Sequence, residues 1–260
     1  MKIFFVWSES YKYALLQNKV PVIFSWTNSK SGMSGGVVPD ECGELMIDSG
    51  GYQLQSGADV RKTITPEHYA LWLNLTLPRH PEIVAYMNLD ILGDVKQTLE
   101  NQHYLETEGL YPLPIWHIGD EDKVLDSYCE KYQWVALGGF VSKNMGKPGI
   151  RITINRIKQR HPYTKFHFLG IGISGTSVFR SFRPYSTDCS TWTAPVRYGT
   201  EIQYDKDGLL RERKASEEKS RKIVEDKEYR KQVLIETVRR IKEFGDKIED
   251  LEDPFQANLL

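Results

Sequence analysis

The sequence is poor in cysteine and has no long apolar run. Its cysteines, Cys42, Cys129 and Cys189, are widely spaced and form no Cys-x-x-Cys pair, which argues against a zinc site and a disulfide framework. No apolar stretch approaches the roughly 20 residues of a membrane-spanning helix. The apolar N-terminal stretch is too short and too aromatic for a secretory signal peptide. These absences predict a cytoplasmic protein with no bound metal, no cofactor and no membrane contact.

The sequence also has no excess of either charge and no common catalytic motif. It carries 34 basic and 35 acidic residues, for a net charge of -1, so the overall charge does not indicate a nucleic-acid-binding protein. A P-loop, a GxSxG elbow and an HExxH helix are all missing. The run Gly170-Ile171-Gly172 lacks the third glycine of a dinucleotide fingerprint. At 260 residues the chain is long enough for one large domain with a sizeable core.

What the sequence does have is a regular alternation of short apolar runs and amphipathic stretches. The predicted strands are Pro21–Trp26, Glu44–Asp48, Ile83–Asp90, Leu113–His117, Trp134–Leu137, Lys165–Gly170 and Tyr185–Asp188. The predicted helices are Thr65–Leu75, Asp94–Glu108, Glu121–Tyr132, Gly149–Gln159 and Gly175–Phe182. About seven or eight such units in about 200 residues predict an α/β fold, an irregular (β/α)8 TIM-type barrel. An open doubly wound sheet is the alternative.

The last part of the chain differs from this alternation. Residues 1–205 are predicted to form the barrel, whereas 206–260 is highly charged with a broken apolar stripe. That stripe is Tyr229, Val233, Val238, Ile241, Phe244 and Ile248. Its spacing predicts a charged helical extension packed on the barrel, with its charges in solvent and without a zinc subdomain.

Acidic residues stand at the ends of several predicted strands. Asp48, Asp90 and Asp188 each end a strand, and the ends of parallel strands meet on one face of a barrel. His117, Gly138, Gly139 and Gly170 end other strands, and Trp192 follows the last one. The predicted site suits an uncharged planar ligand that donates N–H groups to carboxylates, with Tyr52 as a stacking face beside Gln53. Paired carboxylates also allow one nucleophile and one acid or base.

Structural roles compete with these chemical ones. Asp48 could serve only a strand-to-loop turn, by accepting hydrogen bonds from nearby N–H groups. His117 could be a buried histidine with satisfied hydrogen bonds. For Asp94 we favour the structural role, which is the N-cap of the following helix.

Five motifs in order resemble the tRNA-guanine transglycosylase superfamily. They are IDSGGYQ (47–53), MNLD (87–90), ALGGF (136–140), HFLGIG (167–172) and STDCSTW (186–192). Members of that superfamily adopt an irregular (β/α)8 barrel and exchange guanine for a 7-deazaguanine base. The resemblance implies that Asp188 is the nucleophile at the sugar C1′ and that Asp48 is the general acid and base. It also implies that Asp90 accepts hydrogen bonds from the base.

The resemblance assigns the remaining contacts to the base as well. Gly139 and Phe140 would offer backbone groups to the base, and Tyr52 would stack on it. The other predicted substrate-binding residues are Gln53, Gly138, His117, Gly170 and Trp192.

The chain departs from the relatives that act on tRNA. It has no C-terminal CxCxxC and histidine zinc site, and His117-Ile118-Gly119 stands where many relatives have a Gln-Gly pair. The resemblance is therefore to the compact, often phage-borne paralogues that insert 7-deazaguanine into DNA. DNA is the preferred partner, tRNA is the alternative, and a protein partner would open the duplex. A non-catalytic nucleic-acid- or nucleobase-binding subunit and an unrelated small-metabolite enzyme are further alternatives.

Contacts with the phosphate backbone would come from local basic residues. The candidates near the predicted active face are Lys143, Lys147, Arg180, Arg183 and Arg197.

Overall fold

The computed structural model describes residues 1–28, 38–39, 41–51, 64–140 and 148–250. Ten strands and nine α-helices occur within these ranges. The strands are β1 Lys2–Val6, β2 Val22–Ser25, β3 Leu45–Asp48, β4 Ile83–Tyr86, β5 Ile115–His117, β6 Trp134–Gly138, β7 Lys165–Phe168, β8 Ser186–Cys189, β9 Thr200–Tyr204 and β10 Leu210–Lys214. The helices are α1 Lys12–Asn18, α2 Pro66–Thr76, α3 Val95–Thr107, α4 Asp122–Lys131, α5 Pro148–Arg160, α6 Thr176–Phe182, α7 Ala194–Tyr198, α8 Glu217–Glu225 and α9 Lys227–Lys247.

Strands β1 to β8 form one parallel sheet in the order β4-β3-β2-β1-β8-β7-β6-β5. The edge strands of this sheet are β4 and β5. The chain next to them is joined by a parallel bridge between Met87, just after β4, and Leu113, just before β5. There the Leu113 N–H donates to the Tyr86 carbonyl at 2.8 Å, and the Asn88 N–H donates to the Leu113 carbonyl at 3.0 Å. The predicted α/β class is confirmed, and the curled parallel sheet of eight strands is consistent with a TIM-like barrel.

Two apolar clusters cover the two faces of this sheet. The inner face, as we call it below, carries the smaller cluster: Phe4, Ile23, Met46, Met87, Leu113, Ile115 and Ala136. The larger cluster lies on the opposite face, where residues such as Phe5, Ile47 and Leu137 pack with buried helix residues such as Leu73 and Leu105. Residues two apart in a strand share a face. This alternation therefore decides which side chains at the strand ends point inward.

Helix starts are encoded locally, as the sequence predicted. The Thr65 hydroxyl accepts a hydrogen bond from the His68 N–H, with Pro66 as the first helical residue. The Asp94 carboxylate accepts one from the Gln97 N–H at 3.0 Å, which confirms its predicted role as the N-cap of α3. Among the described residues, no helix is both long and apolar enough to cross a membrane.

Strand β1 was not predicted, although it lies between β2 and β8 in the sheet. Its residues, KIFFV, form a continuous apolar run after the first lysine. A strand buried on both faces shows this pattern instead of an alternation, so periodicity does not identify it.

The C-terminal part contains a hairpin that the sequence reading missed. Strands β9 and β10 pair antiparallel across the predicted boundary at residue 205, and Leu210–Lys214 is extended instead of helical. The Asp205 carboxylate stabilises the turn by accepting from the Asp207 and Leu209 N–H groups, both at 2.9 Å. The division into domains at this residue stays a prediction.

Helix α9 packs its apolar stripe against the start of the chain. Val238, Ile241 and Phe244 of the predicted stripe are buried. The Asn18 side chain donates to the Ile235 carbonyl at 3.0 Å, and the N-terminal ammonium donates to the Gly245 carbonyl at 3.0 Å. The contact is close, since a Cβ added at Gly245 would lie 2.9 Å from both Ile3 Cδ1 and the Met1 carbonyl oxygen.

We therefore expect Gly245→Val to destabilise the protein. The added side chain has to displace the backbone at the start of β1, and overpacking of this kind costs about 1–3 kcal/mol in the free energy of unfolding. Urea denaturation measures this loss, and Asp246→Ala on the exposed side of the same helix is the control. A variant as stable as the wild-type protein would show that this contact is not tight.

Candidate functional site

Both predicted catalytic carboxylates, Asp48 and Asp188, point to the inner face. Met46 belongs to the inner cluster, and Asp48 lies two residues beyond it on β3. Asp188 on β8 is in register with Phe4, another inner residue. Both aspartates stand at or next to the carboxyl ends of their strands, where parallel barrels place their active sites.

Asp90 lies in the loop after β4, which is tied to helix α3. The Asn101 side chain donates to the Leu89 carbonyl at 2.7 Å, and the Thr98 hydroxyl accepts from the Ile91 N–H at 2.9 Å. The Asp90 carboxylate also lies against Gly51, where an added Cβ would be 2.3 Å from Oδ1. Glycine is thus required at position 51 so that the loop after β3 can approach Asp90.

The three carboxylates influence one another electrostatically. Burial raises the pKa of Asp48 to about 6, and the negative charges of Asp90 and Asp188 add to the increase. Hydrogen bonds from the Gly50 N–H, at 3.2 Å, and from the Ser25 hydroxyl oppose it. Asp48 therefore does accept the turn hydrogen bond considered above, but it is also a half-buried group that can hold or release a proton near neutral pH.

His117 lies between two carboxylates. Its Nε2 is 2.9 Å from Asp90 Oδ2 and its Nδ1 is 3.7 Å from Asp120 Oδ2. Burial opposes the positive charge, but Asp120 and Asp90 outweigh that effect and raise the pKa of His117 to about 9. At neutral pH the imidazolium therefore holds one oxygen of Asp90 in place. The Asp120 carboxylate also accepts a hydrogen bond from the backbone N–H of His117 at 3.1 Å. Asp120 was not among the predicted site residues.

The Asp188 carboxylate lies next to residues of β7 and of the loop that follows β7. Its Oδ1 accepts a hydrogen bond from the Gly170 backbone N–H at 2.7 Å. Gly170, which was predicted to bind the substrate, therefore contacts the Asp188 carboxylate at this oxygen. The same oxygen lies 3.7 Å from Nε2 of His167, a fully buried residue that was not among the predicted site residues.

The glycine pair at the end of β6, Gly138 and Gly139, makes room for His117. A Cβ at Gly138 would lie 2.8 Å from His117 Cδ2, so a side chain at this position would displace the imidazole. Gly139 has a φ of 81° and lies next to the Ile118 backbone. The Phe140 side chain is buried against Phe168, with ring centroids 4.9 Å apart, so it packs in the core, and its predicted backbone contact with the base stays a prediction.

Two predictions need correction. Trp192 is fully buried and its indole N–H donates to the Val6 carbonyl at 3.0 Å, so its side chain is a packing residue and has no exposed face for a base. Arg183 lies just before β8 and lines a cleft of about 440 Å³ with Lys2 and Lys165, at the amino-terminal edge of the strands. It is therefore on the opposite side from the carboxylates.

Some predicted residues cannot be placed. Tyr52, Gln53, Lys143 and Lys147 lie outside the described residues, and their roles stay predictions. In the ranges that the structure does describe, no group of at least three His, Cys, Asp or Glu side chains is arranged to hold a metal ion. Cys189 is buried on β8, and burial raises the pKa of its thiol to about 12.

Comparison with known proteins gives no further assignment. No family model matches the chain, and no curated protein matches it. The functional argument therefore rests on the motifs and on the geometry of the site.

The raised pKa of Asp48 predicts a pH-dependent stability. Because the folded protein binds this proton more tightly than the unfolded chain, ionisation of Asp48 removes stability as the pH rises from about 4 to about 6. Asp48→Asn avoids this loss, so its Tm should exceed that of wild type by about 2–4 °C at about pH 8 and by less at about pH 4.5. Scanning calorimetry at both pH values measures the difference.

The matched control for this experiment is Asp94→Asn. Asparagine caps a helix about as well as aspartate, so this variant should stay close to wild type at both pH values. A constant difference between Asp48→Asn and wild type across the pH range would contradict the raised pKa of Asp48.

The raised pKa of His117 predicts the opposite behaviour. The folded protein favours the imidazolium, so this contribution is fully present below about pH 6.5 and is lost as the pH rises through about 9. His117→Gln should thus be less stable than wild type near pH 6, and the two should converge above about pH 9. Urea titrations across this range test it, with Asp120→Asn expected to lie between the two proteins near pH 6.

Proposed function

We propose that this chain is a base-exchange transglycosylase, which replaces guanine with a 7-deazaguanine derivative in DNA. The observation that carries the proposal is the pairing of Asp188 and Asp48 on the inner face, at the carboxyl ends of two strands. Their environments differ: one carboxylate accepts a short hydrogen bond from a backbone N–H, and the other is held near a neutral pKa. This difference supports separate roles as nucleophile and as acid and base.

The reaction would proceed in two displacements. In the first, an Asp188 oxygen forms a bond to the sugar C1′ while the bond from C1′ to N9 of guanine breaks. The electron pair stays on the base, which takes a proton from Asp48, and a covalent glycosyl-enzyme remains. In the second, the incoming base gives its proton to Asp48 and attacks C1′, and the Asp188 ester is released as a carboxylate. No oxidant or metal is needed for this exchange.

Asp90 and His117 would select the base. One Asp90 oxygen is paired with the imidazolium, which leaves the carboxylate oriented to accept N–H groups from the amino edge of guanine. Gly138 and Gly139 would bring backbone groups close to the same base. A planar base with two adjacent donors fits this arrangement, as the resemblance to the superfamily implies.

The choice of DNA over tRNA rests on the sequence. The chain lacks the C-terminal zinc ligands of the tRNA enzymes, which favours the compact DNA-modifying paralogues. In this proposal the curled parallel sheet is part of an irregular (β/α)8 barrel, and the protein acts in the cytoplasm. A duplex substrate needs its target nucleotide flipped out at a cost of a few kcal/mol, and a protein partner would assist that step.

The test is incorporation of a radiolabelled 7-deazaguanine base into duplex DNA and into unmodified tRNA at equal concentration. We expect DNA to be labelled by the wild-type protein. Asp188→Asn should lower labelling by about 10³-fold or more and abolish the covalent adduct, because an amide is not a nucleophile at C1′. Asp94→Asn, at an exposed helix cap, should label normally.

The other outcomes separate the alternatives. Preferential labelling of tRNA would overturn the choice of polymer and keep the chemistry. Labelling of neither polymer, with retained binding of a guanine base, would indicate a non-catalytic subunit. Near-normal labelling by Asp188→Asn would show that the nucleophile is another residue.

A further inference from the structure

His167 lies directly beneath the proposed nucleophile. It is in register with Ser186 on β8, two residues before Asp188, and with the inner-face residue Ala136 on β6. Its ring is therefore on the inner face and one layer below the carboxylates. The side chain is completely buried, flanked by the rings of Phe4 and Trp134 at centroid distances of 6.1 Å and 6.5 Å.

The two imidazole nitrogens have different surroundings. Nδ1 is 2.8 Å from the Ser186 hydroxyl oxygen, a normal hydrogen bond. Nε2 has no hydrogen-bond partner within the described part of the chain and lies 3.7 Å from Asp188 Oδ1. A buried polar atom left without a partner is costly, so this orientation calls for an explanation.

Electrostatics decides which nitrogen carries the proton. If Nδ1 donated to Ser186, the lone pair of Nε2 would face the Asp188 carboxylate, and the two would repel each other. If the Ser186 hydroxyl donates to Nδ1, Nε2 carries the hydrogen and directs it at Oδ1. The second arrangement satisfies Ser186 and places an N–H donor next to the carboxylate.

We infer that His167 is a positioning residue for Asp188, oriented by Ser186. In the structure the distance of 3.7 Å is longer than a hydrogen bond, and a movement of well under 1 Å would close it. Catalytic hydrogen bonds are often long before substrate binds and shorten in the reacting complex. Together with the Gly170 N–H, His167 would fix Oδ1 and leave Oδ2 as the attacking oxygen. The inference rests on the proposed function.

The first test compares two substitutions at position 167. His167→Phe keeps a buried ring but removes the donor, and it should lower the rate of adduct formation by about 10- to 100-fold with the KM for the base unchanged. His167→Gln places an amide N–H near the position of Nε2 and should recover the rate to within about threefold. Ser186→Ala should give an intermediate loss.

A merely structural role would give a different pattern. Both substitutions at 167 would then lower the rate in proportion to their loss of Tm, with no rescue by glutamine, and this outcome would overturn the inference. His161→Phe, at a histidine paired with Asp126 away from the site, is the control for replacing a partly buried histidine by a phenyl ring.

A second measurement does not require activity. In wild-type protein labelled with ¹⁵N-histidine, the Nε2 signal of His167 should show a bound hydrogen and the Nδ1 signal should not. Asp188→Asn should shift the Nε2 signal. If the wild-type protein forms no adduct with DNA or tRNA, the proposed function fails, and the ¹⁵N spectrum alone then judges this inference: a hydrogen on Nδ1 would overturn it.

Discussion

Three carboxylates at one end of a parallel sheet repel one another, and the surrounding residues compensate for each in a different way. Burial raises the pKa of Asp48 to about 6, so this group can hold or release a proton near neutral pH. Asp90 is paired with the imidazolium of His117, and Asp188 accepts a backbone N–H from Gly170. The three carboxylates therefore have different partners and different surroundings, which is what a divided acid, binding and nucleophilic role would require.

This compensation depends on the order of the strands. Gly170 reaches Asp188 because β7 pairs with β8, and His117 sits over Gly138 because β5 pairs with β6. Asp90 is brought to His117 where the two edges of the sheet meet, at the bridge between Met87 and Leu113. If those edges were separate, the Asp90 carboxylate and its counter-ion would lie at opposite ends of an open sheet. The bridge between the two edge strands therefore also brings Asp90 and His117 together.

A second layer of polar residues supports the first. The Asp120 carboxylate accepts a hydrogen bond from the backbone N–H of His117, and the Ser186 hydroxyl is hydrogen-bonded to the ring of His167, so each supports a histidine that lies next to a site carboxylate. Polar groups in such a layer hold a ligand or a nucleophile within the small tolerance that catalysis needs. Polar groups buried in the sheet need hydrogen-bond partners inside the protein. His167 is flanked by the rings of Phe4 and Trp134, and Ser186 provides a hydrogen-bond partner for its Nδ1.

The sequence by itself determined the local structure. The caps at Thr65 and Asp94 and the strand ends that carry Asp48 and Asp188 follow from short-range patterns, because capping and alternation involve neighbours in the chain. Strand β1 was missed because burial on both faces removes the alternation. The burial of Trp192 and the hydrogen bond from its indole to the Val6 carbonyl, 186 positions away, were not predicted because no short-range pattern indicates them. Only the tertiary structure decided that His167 faces Asp188 and that His117 pairs with Asp90, since pairing between strands sets these contacts and no short-range pattern records them.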